Sequence, residues 1–297
     1  PVGGVYSGPG VTDDGNGMTY SFDPVAAGGV GTYTITYTFT SGEGCEGSAS
    51  DDIEVLEKVL EVVPIDDIND VDPTTGVALS DGEEVALQGV VHCIDFLDGD
   101  GYNFWILEPN GDGMLVYSDT TVMGYEATEG DEIRVEGFLA QFDGQLEINP
   151  ASITLISQDN DLVVPIGVTE LNESLESKLV TLEITDVDSE GIELIDLGDG
   201  DYFLGFPTSQ DTFTIIITAA SGIDIDFLNN YLALNDVTSY SVTGFVLQTD
   251  FEAPFDDDYS IVACSEGSFN FVSDVNEPAW ANELLIYPNP ATYQVNI

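Results

Sequence analysis

The residues best equipped for chemistry in this sequence are carboxylates set in tight polar phrases. Asp95, Asp98 and Asp100 share the phrase Asp-Phe-Leu-Asp-Gly-Asp. Asn110 and Asp112 flank a glycine, and Asp196, Asp199 and Asp201 share Asp-Leu-Gly-Asp-Gly-Asp. A fourth acidic run extends from Asp66 to Asp72. Hard cations take carboxylate and carbonyl oxygens from turns of this kind, so Ca2+ is the cofactor these phrases could hold. None has the EF-hand spacing, with oxygen ligands at alternate positions and a closing glutamate. Asp-Gly is also the commonest hairpin signal, so each phrase taken singly reads first as a turn.

Other chemistry is sparsely supplied. A nucleophilic triad needs a general base, and His92 is the one histidine. It lies next to Cys93 in an apolar strand-like stretch, where neighbours point to opposite faces, so zinc binding by the pair is disfavoured. A Ser–Lys dyad would need Lys58 or Lys178, both in or beside linker-like sequence. Paired carboxylates could hydrolyse a glycoside only at a fixed separation in a cleft, which small sandwiches and barrels rarely supply. Catalysis is therefore not expected. Three cysteines, Cys45, Cys93 and Cys264, match no metal knuckle and allow at most one internal disulfide.

The charge balance is extreme: 56 acidic residues against three basic ones, a formal net charge of -53 over 297 residues. Nucleic-acid affinity depends on Lys and Arg displacing counterions from phosphate, so the expectation is no nucleic-acid partner. Anionic membranes are disfavoured for the same reason, and no apolar run is long enough to span a bilayer, so membrane insertion is not expected. Self-repulsion of this size makes folding depend on cations or salt.

The elements that must position these residues read as all-β. In residues 1–56, Tyr33, Ile35, Tyr37 and Phe39 alternate with threonines and share one face. Residues 57–79 read as an acidic linker broken by Pro64 and Pro73. Residues 80–157 read as a closed five-stranded β-barrel, with glycines inside the first and fourth strands suiting sharp coiling. Residues 158–272 repeat the module: Val242-Thr243-Gly244-Phe245-Val246 echoes Val135-Glu136-Gly137-Phe138-Leu139. A short helix over residues 168–177, capped at Thr169, would lead into it, and residues 226–230 read as a helical turn. Trp105, Tyr117 and Phe138 are the candidate ligand-binding aromatics, facing a neutral glycan, with core or interface filling as the alternative. Residues 273–297 are a polar linker and a last strand.

Three resemblances add to this reading. The phrase Leu285-Ile286-Tyr287-Pro288-Asn289-Pro290-Ala291 closely resembles the start of the C-terminal sorting domain of the type IX secretion system, whose signature opens a small β-sandwich. It implies export across the outer membrane, to the cell surface or beyond. The glycine- and tyrosine-rich pattern of residues 3–45 resembles an immunoglobulin-like (Ig-like) repeat of bacterial adhesion proteins, but without the strands that usually precede it. Glu129 to Gly137 resembles part of an OB-fold, which implies tandem OB-like modules. The resulting expectation is a non-catalytic extracellular structural or adhesive protein: an Ig-like β-sandwich, two OB-like β-barrels and a sorting-tail strand. Its partners would be other cell-surface components or further copies of itself, joined head to tail by a C-terminal strand donated to an unfilled sheet edge. The alternative is a carbohydrate-binding accessory module.

Overall fold

The computed structural model describes residues 3–97, 101–120, 124–233 and 237–273. Contacts divide the chain into two units, residues 1–60 and 61–297. Both are built from strands, and the fold is all-β.

In the first unit the strands are β1 (Val5–Ser7), β2 (Val11–Asp13), β3 (Tyr20–Phe22), β4 (Gly31–Thr40) and β5 (Glu46–Val55), with one helical turn, α1 (Pro24–Ala27). Asp23 caps α1 through the amides of Val25 and Ala26, and proline at its first position supplies the fixed φ a helix start needs. β4 is the centre of an antiparallel sheet ordered β1-β4-β5, while β2 and β3 pair as a separate hairpin. The alternating face of β4 does what its pattern requires. Ile35 is buried, and the Tyr6 ring packs 4.7 Å from both Tyr20 and Tyr37. The Tyr37 hydroxyl accepts from the Gly4 amide at 3.0 Å and donates to the Gly17 carbonyl at 3.1 Å. Glycine is required at position 4 because a Cβ there would overlap the Tyr37 ring.

The second unit opens with β6 (Glu84–His92), β7 (Tyr102–Leu107), β8 (Gly113–Ser118), β9 (Glu132–Phe142) and β10 (Gln145–Ser157). They close into a barrel ordered β10-β8-β7-β6-β9, with β8 and β10 parallel. Leu87, Phe104, Ile106, Ile133 and Ile148 fill its core. The segment expected to be a linker over residues 57–79 is different in kind from Glu61 onward. A single 3-10 turn at Ile65–Asp67 inserts Ile65 and Ile68 into the barrel core, and Val62 bridges Ala86. The acidic run masks two isoleucines three residues apart, the spacing that aligns side chains on a 3-10 turn.

The rest of the unit comprises β11 (Ile166–Val168), β12 (Leu179–Thr185), β13 (Glu193–Gly198), β14 (Asp201–Pro207), β15 (Thr212–Ile217), α2 (Ile225–Leu232), β16 (Val237–Gln248), β17 (Tyr259–Ala263) and β18 (Phe269–Ser273). Their order, β11-β12-β16-β17-β15-β14-β13, repeats the first barrel's order of first, fourth, fifth, third and second strand. The parallel pair recurs too, here as β15 with β17. This second sheet does not close, however: no pairing joins β12 to β13 or β14 among the described residues. α2, capped by Asp224, buries Leu228 and Tyr231 against it. The expected helix over residues 168–177 is a strand residue followed by one 3-10 turn, Glu173–Leu175, capped by Asn172 rather than Thr169. Leu171 and Leu175 both reach the core without it.

Candidate functional site

Among the described residues of the carboxylate phrases, Asp95, Asp112, Asp196 and Asp201 each have an oxygen already engaged. Asp95 Oδ1 accepts from the amides of Leu97 and Asn103, both at 3.0 Å. Asp112 pairs with the Lys178 ammonium at 3.0 Å and accepts from the Asn110 amide nitrogen at 2.7 Å. Asp196 Oδ1 accepts from the Gly198 amide and Asp201 Oδ1 from the Ala219 amide, each at 2.8 Å. Asp199 takes a positive φ of 56° in the hairpin between them. Asp98 and Asp100 lie outside the described residues, as does the sorting phrase Leu285–Ala291. The one place among the described residues where three potential metal-ligating side chains converge is instead Asp250, Asp256 and Asp257. Buried Asp250 accepts from the amides of Glu252 and Asp256, which organises that loop. Lost hydration, then the charges of Asp258 and Asp250, pushes the Asp257 carboxyl upward.

These three aspartates lie beside a cleft of about 980 Å³, which Asp256 and Asp257 help to line. Its walls carry Glu183, Asp211, several threonines, Phe203 and Phe251, the last 75% exposed. No Lys, Arg or His lines it.

The aromatic candidates do not form a platform, which corrects the ligand-binding expectation. Trp105 is 1% exposed, stacked on Phe245 of the second sheet, with its indole N–H donating to Ser177 Oγ. Tyr117 packs against the same cluster, which also holds Phe96, Leu107, Leu115 and Val262. Phe138 is alone and 51% exposed. It occupies the position in β9 that Phe245 occupies in β16, so the repeat turns one phenyl into the seam and leaves the other on the surface. The disulfide Cys93–Cys264 crosses the same seam, while Cys45 is free and exposed.

His92 is buried, with Nδ1 bonded to the Val90 carbonyl at 2.9 Å and Nε2 accepting from the Val163 amide at 2.7 Å. Both nitrogens are used, and desolvation holds its pKa below the usual histidine range. That is a structural histidine.

In the first unit β5 is the feature with unused capacity. It pairs with β4 through ten consecutive positions, and its other edge pairs with no strand among the described residues of that unit. Ala49 and Ile53 stand opposite Tyr37 and Tyr33 and so share the apolar face of Ile35. Yet every β5 residue from Glu46 to Asp52 is exposed. Ile35 is the one buried hydrophobic side chain among the described residues of the unit.

No family model matches this chain, and no curated protein does. Among solved structures, the chain is similar to a HINb domain at 10% identity and a TM-score of 0.29, over 65% of this chain and all of that one. A HINa domain in complex with 20-base-pair double-stranded DNA is similar at 10% identity and 0.25, over 64% and 96%. A murine DNA-binding protein bound to double-stranded DNA is similar at 6% identity and 0.25, over 65% and 98%. These values carry no functional argument for this chain. The expectation of no nucleic-acid partner is withdrawn: it rested on net charge alone, and two of these structures are described as bound to double-stranded DNA. Net charge over a whole chain does not set the sign of each surface patch.

Proposed function

We propose that this chain is a non-catalytic extracellular structural or adhesive protein whose first unit accepts a strand from another copy along β5. The observation that carries this reading is the ten-residue edge of β5, which pairs with no strand among the described residues, beside a half-covered apolar face. An open edge of that length offers a row of main-chain donors and acceptors, and strand addition satisfies both them and the apolar face. Asp51, opposite Ile35, sits on the face to be covered, so a cation must accompany or follow the incoming strand. Calcium has that role in the reading, as counter-ion between chains of like charge. The donor would be the alternating sequence at the C-terminus, residues 283–297, and contacts of this head-to-tail kind build filaments. The Cys93–Cys264 disulfide supports an oxidising, extracellular setting. The strand order of the barrel and its open repeat supports the tandem OB-like reading, and the β1-β4-β5 sheet supports the Ig-like one.

Sedimentation velocity and electron microscopy of the purified chain, with calcium and with chelator, test the proposal. Assemblies should grow with concentration and calcium, and a synthetic peptide of residues 283–297 should shorten them. A monomer at every concentration, with fast-exchanging amides along β5, would sink it. The runner-up reading is a carbohydrate-binding accessory module, favoured by the cleft that Phe203 and Phe251 line. There, Phe251→Ala should abolish any signal on a glycan array without altering assembly.

A further inference from the structure

Several polar contacts between the closed barrel and the open sheet gather at the 3-10 turn Glu173–Leu175 and the two residues after it. Glu176 Oε1 accepts from the Leu146 amide of β10 at 3.1 Å. Ser177 Oγ accepts from the Gln145 side chain at 2.9 Å and from the Trp105 indole at 3.3 Å. Gln145 in turn accepts from the Gln248 amide of β16 at 3.2 Å. On the far side of the turn, Glu173 accepts from the Tyr259 hydroxyl at 2.7 Å. The second oxygen of Glu176 is buried and has no hydrogen-bond partner. A buried carboxylate oxygen without a partner is costly when ionised and tolerable when it carries a proton.

We infer that the Glu173–Glu176 carboxyl pair is a pH-operated latch on the seam, closed while Glu176 is protonated and released when it ionises. The groups around it offer no compensating cation. Glu173 on the same turn is a like charge, and Tyr259 on β17 is a neutral phenol with Asp256 beyond it. On β10 the titratable neighbour is Glu147, itself held by Asn149. Lys178, two residues on, is engaged with Asp112. Burial first, then the Glu173 charge, pushes the Glu176 carboxyl up to about 8, which puts its ionisation above neutral pH. Release means that the turn at residues 173–177 lets go of β10. The Cys93–Cys264 disulfide and the Trp105–Phe245 stack keep the two sheets tethered when it does.

Hydrogen exchange at the Leu146 amide tests this on the whole chain, comparing wild type with Glu176→Gln at each pH so that intrinsic exchange cancels. Wild-type protection should match the variant's near pH 4.5, the ordinary carboxyl value, fall relative to it by up to about ten-fold per pH unit as pH rises from there, and level off above about pH 8. A ratio that stays flat from pH 6 to pH 9 overturns the latch. Glu173→Gln provides a second reading if Glu176→Gln fails to fold. Removing the neighbouring charge lowers the closed-state pKa of Glu176, so the fall should level off at lower pH and be smaller in all. An unshifted fall would overturn the coupling of the pair.

Discussion

The indole of Trp105 lies flat on the ring of Phe245, with centroids 4.6 Å apart and planes 6° from parallel. The first residue belongs to the closed barrel and the second to the open repeat, so this pair is where the two modules become one unit. Stacked aromatics contribute about 0.5–1.5 kcal/mol beyond the area they bury. Trp105→Ala should therefore cost about 3–5 kcal/mol, as large-to-small changes at buried aromatics do. It should also leave Ser177 Oγ with one donor fewer. Urea unfolding monitored by circular dichroism measures it. A loss below about 1 kcal/mol would mean that the seam is not a cohesive core.

The disulfide joins the same two modules across 171 residues of sequence. Removing a native disulfide typically costs about 2–5 kcal/mol, through a less constrained unfolded chain. The double substitution Cys93→Ser, Cys264→Ser should lower Tm, and reductant should do the same to wild type but not to the variant. Cys45 is free and exposed in the other unit, so Cys45→Ser should leave Tm unchanged.

Two buried groups set opposite pH dependences. His92 is held neutral, mainly by desolvation, so its folded pKa lies below its unfolded value. Its contribution is complete above about pH 6.5, the unfolded value, and is lost as pH falls below it. Glu147 is pushed up to about 7 by burial. Its contribution is complete below about pH 4.5 and is lost as pH rises through 7. His92→Gln should thus flatten the acid side of a Tm profile, and Glu147→Gln should flatten the side between pH 5 and 8. If neither variant changes the profile's slope, the two groups are solvated in solution.

What the sequence made legible was whatever period and local punctuation encode. The Tyr33 to Phe39 alternation and the repeat between Val135 and Val242 both stand in the fold as read. What stayed hidden was long-range. Glu176 meets Leu146 across 30 residues and Gln145 meets Gln248 across 103, and neither pair has a sequence signature. The Asp250, Asp256, Asp257 group was missed because a chain with 56 acidic residues gives no contrast by which to single it out. Trp105 reads from the sequence both as a ligand platform and as core or interface filling, because a seam between modules and a binding face draw on the same aromatic residues.

The repeat itself can be tested through two glycines. In β9 a Cβ on Gly137 would overlap the Asn149 carbonyl of β10, and in β16 a Cβ on Gly244 would overlap the Val262 carbonyl of β17. These are the equivalent fourth and fifth strands of the two modules, so the same close approach of backbones recurs. Gly137→Ala and Gly244→Ala should each destabilise by about 1–3 kcal/mol, the usual cost of forcing atoms into a packed interior. Gly167 in β11 has open space at its Cβ and an ordinary φ. Gly167→Ala should therefore stabilise slightly, by about 0.4–1 kcal/mol, through the lost freedom of the unfolded chain. Urea midpoints for the three variants decide it: if Gly244→Ala behaves like Gly167→Ala, the second sheet does not coil as tightly as the barrel it repeats.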